Sequence, residues 1–136
     1  SQGGVRALCP TSNPGSAEVQ DLDTGGRPLF ERVAEMVATR WRQLGEAGLV
    51  VGATFPAQLE AARRIVGDLP ILVPGIGAQG GDLTASVRGG STGPGTGLLL
   101  SSSRSVLYAS RGADFAEAAR AAAIATRDAI NAVARG

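Results

Sequence analysis

The sequence predicts a parallel α/β fold built from four successive strand–helix units. Apolar runs at 5–9, 49–53, 71–75 and 98–103 each lead towards a helical segment. Strands that alternate with helices imply right-handed crossovers, because each helix must cover a sheet face. The runs are continuous rather than alternating, the pattern of strands buried on both faces. Four units cannot close an eight-stranded barrel. The residues alone therefore allow a small open α/β sheet or one half of a barrel.

Taken in order, "VRALC" (5–9) is a strand stopped by Pro10, and "PTSNPGS" (10–16) is turn chemistry throughout. From Pro28 to about Gly45, Leu29, Val33, Val37, Trp41 and Leu44 recur at three- and four-residue spacing, which predicts an amphipathic helix. "LVVGA" (49–53) is the second strand and "FPAQLEAARRIVG" (55–67) the second helix. "ILVPG" (71–75) is the third strand, followed by a glycine-rich loop and a short helix around Leu83–Val87. "GGSTGPGTG" (89–97) reads as a flexible surface connection, and "LLLSSS" (98–103) as the fourth strand. A long Ala-rich helix closes the chain, with Asp114 as N-cap and Phe115, Ala119, Ala122, Thr126, Ile130 and Val133 on one face.

The totals exclude several classes of function. At 136 residues, 43% apolar and 18% charged, the chain has the size and composition of one globular domain. A net charge of +1 points to neither a nucleic-acid surface nor an anionic membrane. All thirteen basic residues are arginine, so lysine and histidine chemistry is absent from these residues. A single cysteine, Cys9, rules out an internal disulfide and any multi-cysteine metal site, and suits a reducing, cytoplasmic compartment. No apolar run approaches the roughly 18 residues of a membrane span. The opening "SQGG" lacks the basic and apolar regions of a signal peptide, and without an initiator Met it is compatible with processing, an expression scar or a fragment.

"ILVPGIGAQGGD" (71–82) contains a literal G-x-G-x-x-G at Gly75, Gly77 and Gly80. A dinucleotide site needs an acidic residue about 20 positions later to accept from the ribose hydroxyl. There is no Asp or Glu between Asp82 and Asp114, and the motif follows the third strand rather than the first. A ligand-free glycine turn is the plainer alternative. A phosphate site fits better than either. Gly75, Gly77, Gly80 and Gly81 let backbone amides converge on an anion at the start of a helix, and Gln79 can donate its amide. The next strand delivers "SSSRS", with Arg104 just past its end. Consecutive strand ends are neighbours in a parallel sheet, so Gln79 and Arg104 can face one ligand.

"TSNPGS" (11–16), "VVGATFPAQL" (50–59), "LVPGIGAQGGD" (72–82) and "SSSRSVLYAS" (101–110) resemble, in order and spacing, the orotidine 5′-phosphate decarboxylase family, in its longer-chain bacterial branch. The resemblance runs from about residue 5 to the C-terminus. It implies that residues 1–136 are the C-terminal half, strands five to eight, of a single (β/α)8 TIM-barrel domain, with the N-terminal half lying outside this chain. It further implies that Gln79 and Arg104, with backbone amides at Gly77, Gly80 and Gly81, bind the substrate phosphate, and that Ser12 binds the pyrimidine. The ligands would be orotidine 5′-phosphate or uridine 5′-phosphate, without metal or organic cofactor, in a cytoplasmic homodimer.

Two departures stand out. Ser101 and Ser105 occupy positions where many relatives carry Asn and Gly, which should loosen the loop around Arg104. The family's alternating Lys/Asp catalytic array has no counterpart here, so no catalytic residue is assigned within this chain. Arginine, with a pKa above about 12, is a poor proton donor for the carbanion left by CO₂. Two other readings remain open: a non-catalytic half-barrel that binds a phosphorylated ligand, or another phosphate-binding TIM-barrel enzyme.

The remaining polar residues have plainer roles. Asp21, Asp23 and Asp82 read as turn or capping aspartates, Cys9 as a small buried apolar residue, and Trp41 as core or subunit-interface packing. The segment Thr11–Asp23 is long enough to cover a ligand. A half-barrel also leaves sheet edges and one sheet face bare, so it must pair with its other half or with a copy of itself.

Overall fold

A computed structural model of the chain describes residues 4–11, 13–76, 82–93 and 95–136. Four strands, β1 (Val5–Leu8), β2 (Ala47–Val50), β3 (Ile71–Pro74) and β4 (Leu98–Ser101), form one parallel sheet in the order β1-β2-β3-β4. Between and after them run α1 (Ala17–Gln20), α2 (Leu29–Thr39), α3 (Pro56–Val66), α4 (Leu83–Gly90), α5 (Ser103–Leu107) and α6 (Phe115–Arg135). Two 3₁₀ turns, Pro14–Ser16 and Trp41–Gln43, complete the described elements.

The strand order decides between the two architectures left open by the residues. A doubly wound sheet reverses its order at a switch point and carries helices on both faces. Here the order is sequential, and only one face is covered. The parallel register aligns Ala7, Leu49, Ile71 and Leu98 on one level, and Leu8, Val50, Leu72 and Leu99 on the next. The first row, with Val73 and Leu100, packs against α2 and α3 around Ala34, Val37, Leu59, Ala62 and Val66. The second row points away from the helices, and Leu8 is 65% and Leu99 44% exposed. One helical layer on a singly wound sheet is the cross-section of half a barrel, whose interior is that bare apolar row.

The helices follow from spacing. In α2, Phe30, Ala34 and Val37 fall on the buried stripe, and in α3 Leu59, Ala62, Arg63 and Val66 do. Each fully buried Leu or Val contributes on the order of 1.5–3 kcal/mol. Pro56 begins α3, where a missing N–H costs nothing. Asp82 caps α4, its carboxylate accepting from the Ala85 amide at 2.9 Å.

Several expectations need correction. The helix expected to about Gly45 ends at Thr39, tightens into the turn at Trp41, and leaves Leu44 82% exposed. The buried aromatic is Phe30, which the three- and four-residue series had passed over. β2 starts at Ala47 and ends at Val50, two to three residues earlier than expected. The fourth strand stops at Ser101 and the serines turn into α5. The short helix after the glycine loop extends through Gly90. In α6, Ala119, Ala122, Thr126, Ile130 and Val133 are half-buried as expected, but Phe115 is 62% exposed. Asp114 makes no side-chain cap and instead accepts from the Ser110 hydroxyl at 2.7 Å.

Candidate functional site

Because all four strands are parallel, their C-terminal ends place Cys9, Val51, Gly75 and Ser102 along one rim. Pro74 pairs with Ser101 across β3 and β4, so the third and fourth strand-end loops leave the sheet side by side. Gly75 follows with φ +92°, a left-handed turn that only glycine adopts without strain. Ile76 then anchors the chain by burying its side chain in the core. Gly77, Gln79, Gly80 and Gly81, expected to hold phosphate, lie outside the described residues, as does Ser12. The description resumes at Asp82, the cap of α4.

On the neighbouring strand, the Ser102 hydroxyl donates to the Ile76 carbonyl at 3.1 Å. α5 begins one residue later, and Arg104 lies exposed in its first turn. Among the described residues its guanidinium makes no hydrogen bond or ion pair, although five ion pairs occupy other arginines. The segment expected to loosen at Ser105 is regular helix. No non-glycine residue among those described has a positive φ, so a serine there needs no strained backbone. Arg104 thus follows two residues after Ser102, whose hydroxyl is bonded to the last described residue before the glycine loop. Asp82 already offers a carboxylate to the first turn of α4.

The first rim loop is held by side chains. The Thr11 amide donates to Gln20 Oε1 at 2.8 Å, and the Thr11 hydroxyl donates to Asn13 Oδ1 at 2.6 Å. Beside them Pro10, Asn13, Gln20, Phe55 and Gln58 line a cleft of about 260 Å³. Downstream, Leu29 donates its amide to Leu22 O at 2.9 Å, and Arg32 donates to Thr24 O at 3.0 and 3.1 Å. The segment expected to cover a ligand is therefore tied to α2 at its downstream end. Asp23 is a turn aspartate, accepting from the Gly26 amide at 2.6 Å.

Cys9 is buried and donates its thiol to Phe30 O at 2.7 Å. Burial pushes its pKa up to about 12, against the smaller opposing effect of a backbone hydrogen bond. That makes it an inert thiol. Trp41 is half-buried against the core and borders a groove of about 330 Å³ with Val5, Leu44 and Ala47, at the opposite end of the sheet from the rim. The residue that sequence reasoning missed is Ser102, because "LLLSSS" reads it as the continuation of a strand and nothing local points to its partner 26 residues away. Among the described residues no helix is long and apolar enough to cross a membrane.

No family model matches the chain. Individual proteins do. The chain is 60% identical over 129 residues to an orotidine 5′-phosphate decarboxylase from Azoarcus sp., covering 95% of this chain and 48% of that protein. A solved structure of Leishmania donovani OMP decarboxylase superposes with a TM-score of 0.82 at 41% identity, covering 98% of this chain and 48% of that one. Leishmania donovani UMP synthase gives the same TM-score at 44% identity, covering 96% and 28%. The chain spans about half the length of the curated relatives it matches. By sequence and by fold, the chain is similar to the orotidine 5′-phosphate decarboxylases over about half of their length and corresponds to a C-terminal half of their α/β barrel.

Proposed function

We propose that this chain supplies the phosphate and pyrimidine grip of an orotidine 5′-phosphate decarboxylase, which converts orotidine 5′-phosphate to uridine 5′-phosphate and CO₂. The observation that supports the reading is the adjacency of the β3 and β4 ends, where the Ser102 hydroxyl donates to the Ile76 carbonyl and Arg104 lies exposed two residues further on. In this reading the Arg104 guanidinium binds two phosphate oxygens as a charge-assisted fork. Backbone amides at Gly77, Gly80 and Gly81 and the Gln79 carboxamide complete the anion site, and Ser12 holds the pyrimidine.

Loss of CO₂ leaves an electron pair on the pyrimidine ring that must be stabilised by a cation and then protonated. This chain holds neither lysine nor histidine, and arginine does not release a proton near neutral pH. The proton donor therefore comes from a Lys/Asp array on the upstream half of the barrel. That half also covers the bare row of Leu8, Val50, Leu72 and Leu99. Binding energy gained at the phosphate, remote from the reacting carbon, holds the ring against the array. No cofactor enters this scheme, and the working assembly is a cytoplasmic homodimer. It needs neither nucleic acid nor membrane.

The test is to follow CO₂ release from orotidine 5′-phosphate by this chain alone and by this chain mixed with the upstream half of the Azoarcus relative. The expected outcome is no turnover alone and turnover on mixing. Turnover by the chain alone contradicts the division of labour. Phosphate-dependent binding without turnover in the mixture favours a non-catalytic half-barrel.

A further inference from the structure

We infer that Arg6 docks against a carboxylate supplied by the upstream half of the barrel, so that an ion pair inside the barrel joins the two halves. The inference rests on the reading above that such a half covers the bare face of the sheet. Side chains alternate along β1, and Ala7 packs against the core beneath the helices, so Arg6 and Leu8 take the uncovered face. The same alternation about Leu49, Ile71 and Leu98 puts Gly48, Val50, Leu72 and Leu99 there too. Arg6 is the only ionisable residue in the four strands. Its side chain makes no ion pair with any described residue. Its strand neighbour is Gly48, where an added Cβ would lie 2.5 Å from the Pro70 carbonyl oxygen. No side chain fits at that position, so the space over Gly48 is left to the arginine. Arg6, Gly48 and Pro70 together line a small pocket of about 70 Å³ at the end of the sheet opposite the rim.

Leu8 stands two residues further along the same face, roughly 6.6 Å away. A barrel interior is filled with side chains, so a cover that buries Leu8 and Leu99 also takes Arg6 out of water. An arginine does not escape burial by losing its proton, and a dehydrated cation needs a charged, hydrogen-bonded partner. The strands of this half offer none. Glu46, the titratable group among the described residues lining the same pocket, is exposed and forms no ion pair with Arg6. A second copy of this chain is a poor occupant, because its own bare face brings another Arg6 and no acid. The chain spans about half the length of its curated relatives, which leaves a second half of similar size to do the covering. Charge complementarity fixes the chemistry of that surface: apolar opposite the Leu8 row, with a carboxylate opposite Arg6.

The experiment uses the complete protein with Arg6→Met, Arg6→Lys, Glu46→Gln and Leu8→Ala, unfolded in urea at pH 7 and pH 5. Arg6→Met strands the carboxylate inside the barrel and is expected to lower the midpoint at pH 7 by about 1 M or more. A stranded carboxylate holds its proton to higher pH, so the folded variant gains stability as pH falls, and the deficit is expected to narrow at pH 5. Arg6→Lys keeps the charge and is expected to recover at least half of the shift. A shift under about 0.3 M for Arg6→Met would mean that the guanidinium reaches water, and would overturn the inference. A deficit as large at pH 5 as at pH 7, or a lysine variant as weak as the methionine one, would do the same, since lost packing would then explain it. A methionine variant that is unfolded at both pH values counts with these. So does Glu46→Gln if it reproduces the shift and its narrowing, because the partner would then lie in this half. If Leu8→Ala lowers the midpoint while Arg6→Met does not, the ion pair fails and the covered face stands. If Leu8→Ala leaves the midpoint unchanged, the covering half itself fails.

Discussion

Arg63→Met should be the most damaging single substitution away from the rim. Arg63 is 8% exposed and belongs to the buried stripe of α3. It has no carboxylate partner within ion-pair distance among the described residues. Its guanidinium donates to four carbonyls: Nε to Gly90 O at 2.5 Å, Nη1 to Gly67 O at 2.6 Å and Leu69 O at 2.7 Å, and Nη2 to Gly97 O at 2.8 Å. These oxygens come from just past the end of α3, the end of α4 and the residue before β4. The first two groups are regions where helices leave carbonyls without partners and where their dipoles are negative. One cation thus closes three segments at the end of the sheet opposite the rim. Desolvation pulls the Arg63 pKa down, while Asp68 pulls it up more weakly.

Four charge-assisted bonds amount to roughly 6–12 kcal/mol gross, but most of that offsets the cost of dehydrating the guanidinium. Removing the cation and stranding its acceptors should cost about 3–5 kcal/mol. Methionine fills similar volume, so the loss is not a cavity effect. Arg63→Lys should recover only part, because an ammonium carries charge but no planar fork to reach three segments. The assay is urea unfolding with an unchanged m-value, where slopes of about 1–3 kcal/mol/M make the loss a midpoint shift of 1 M or more. A loss under about 1 kcal/mol would refute the reasoning, since it would mean water serves those carbonyls as well as the arginine does.

Two further outcomes follow from burial. Because the Cys9 pKa rises from 9.0 to about 12 on folding, the folded chain holds a proton that the unfolded chain releases. Stability associated with that group is full below pH 9 and falls as pH rises towards 12. Urea midpoints at pH 8 and 10.5 should therefore converge in Cys9→Ala, and an unchanged slope in that variant would count against the assignment. Leu8 is 65% exposed in this chain but lies on the bare inner row. In the complete protein Leu8→Ala should cost about 2–5 kcal/mol by urea unfolding, as a core position does. A loss under about 0.5 kcal/mol, typical of surface positions, would show that nothing covers the row.

Much of this fold is legible in the residues because apolar runs and helical spacing report burial directly. The strand–helix order, the glycine turn at Gly75, the cap at Asp82 and the half-buried face of α6 were all open to that kind of reading. What was hidden has physical causes. Phe30, not Leu29, faces the core because α2 enters from the turn at Asp23–Pro28, whose bracing by Arg32 fixes the helix rotation. Arg63 looks like any polar residue in "EAARRIVG", since nothing local shows that four carbonyls from three segments converge on it. α5 is invisible because "LLLSSS" continues an apolar strand pattern into residues that serve either state. At the site, the side-by-side exit of the third and fourth strand-end segments was legible from strand order alone. The Ser102 tether was not, because it joins positions 26 residues apart.

The most direct test of the central claim is Arg104→Ala in the complete protein, titrated with uridine 5′-phosphate and with uridine. Two charge-assisted bonds lost to a phosphate should weaken the monophosphate on the order of 100-fold and leave uridine within about twofold of the unsubstituted protein. Equal losses for both ligands, or none for the monophosphate, would contradict the account.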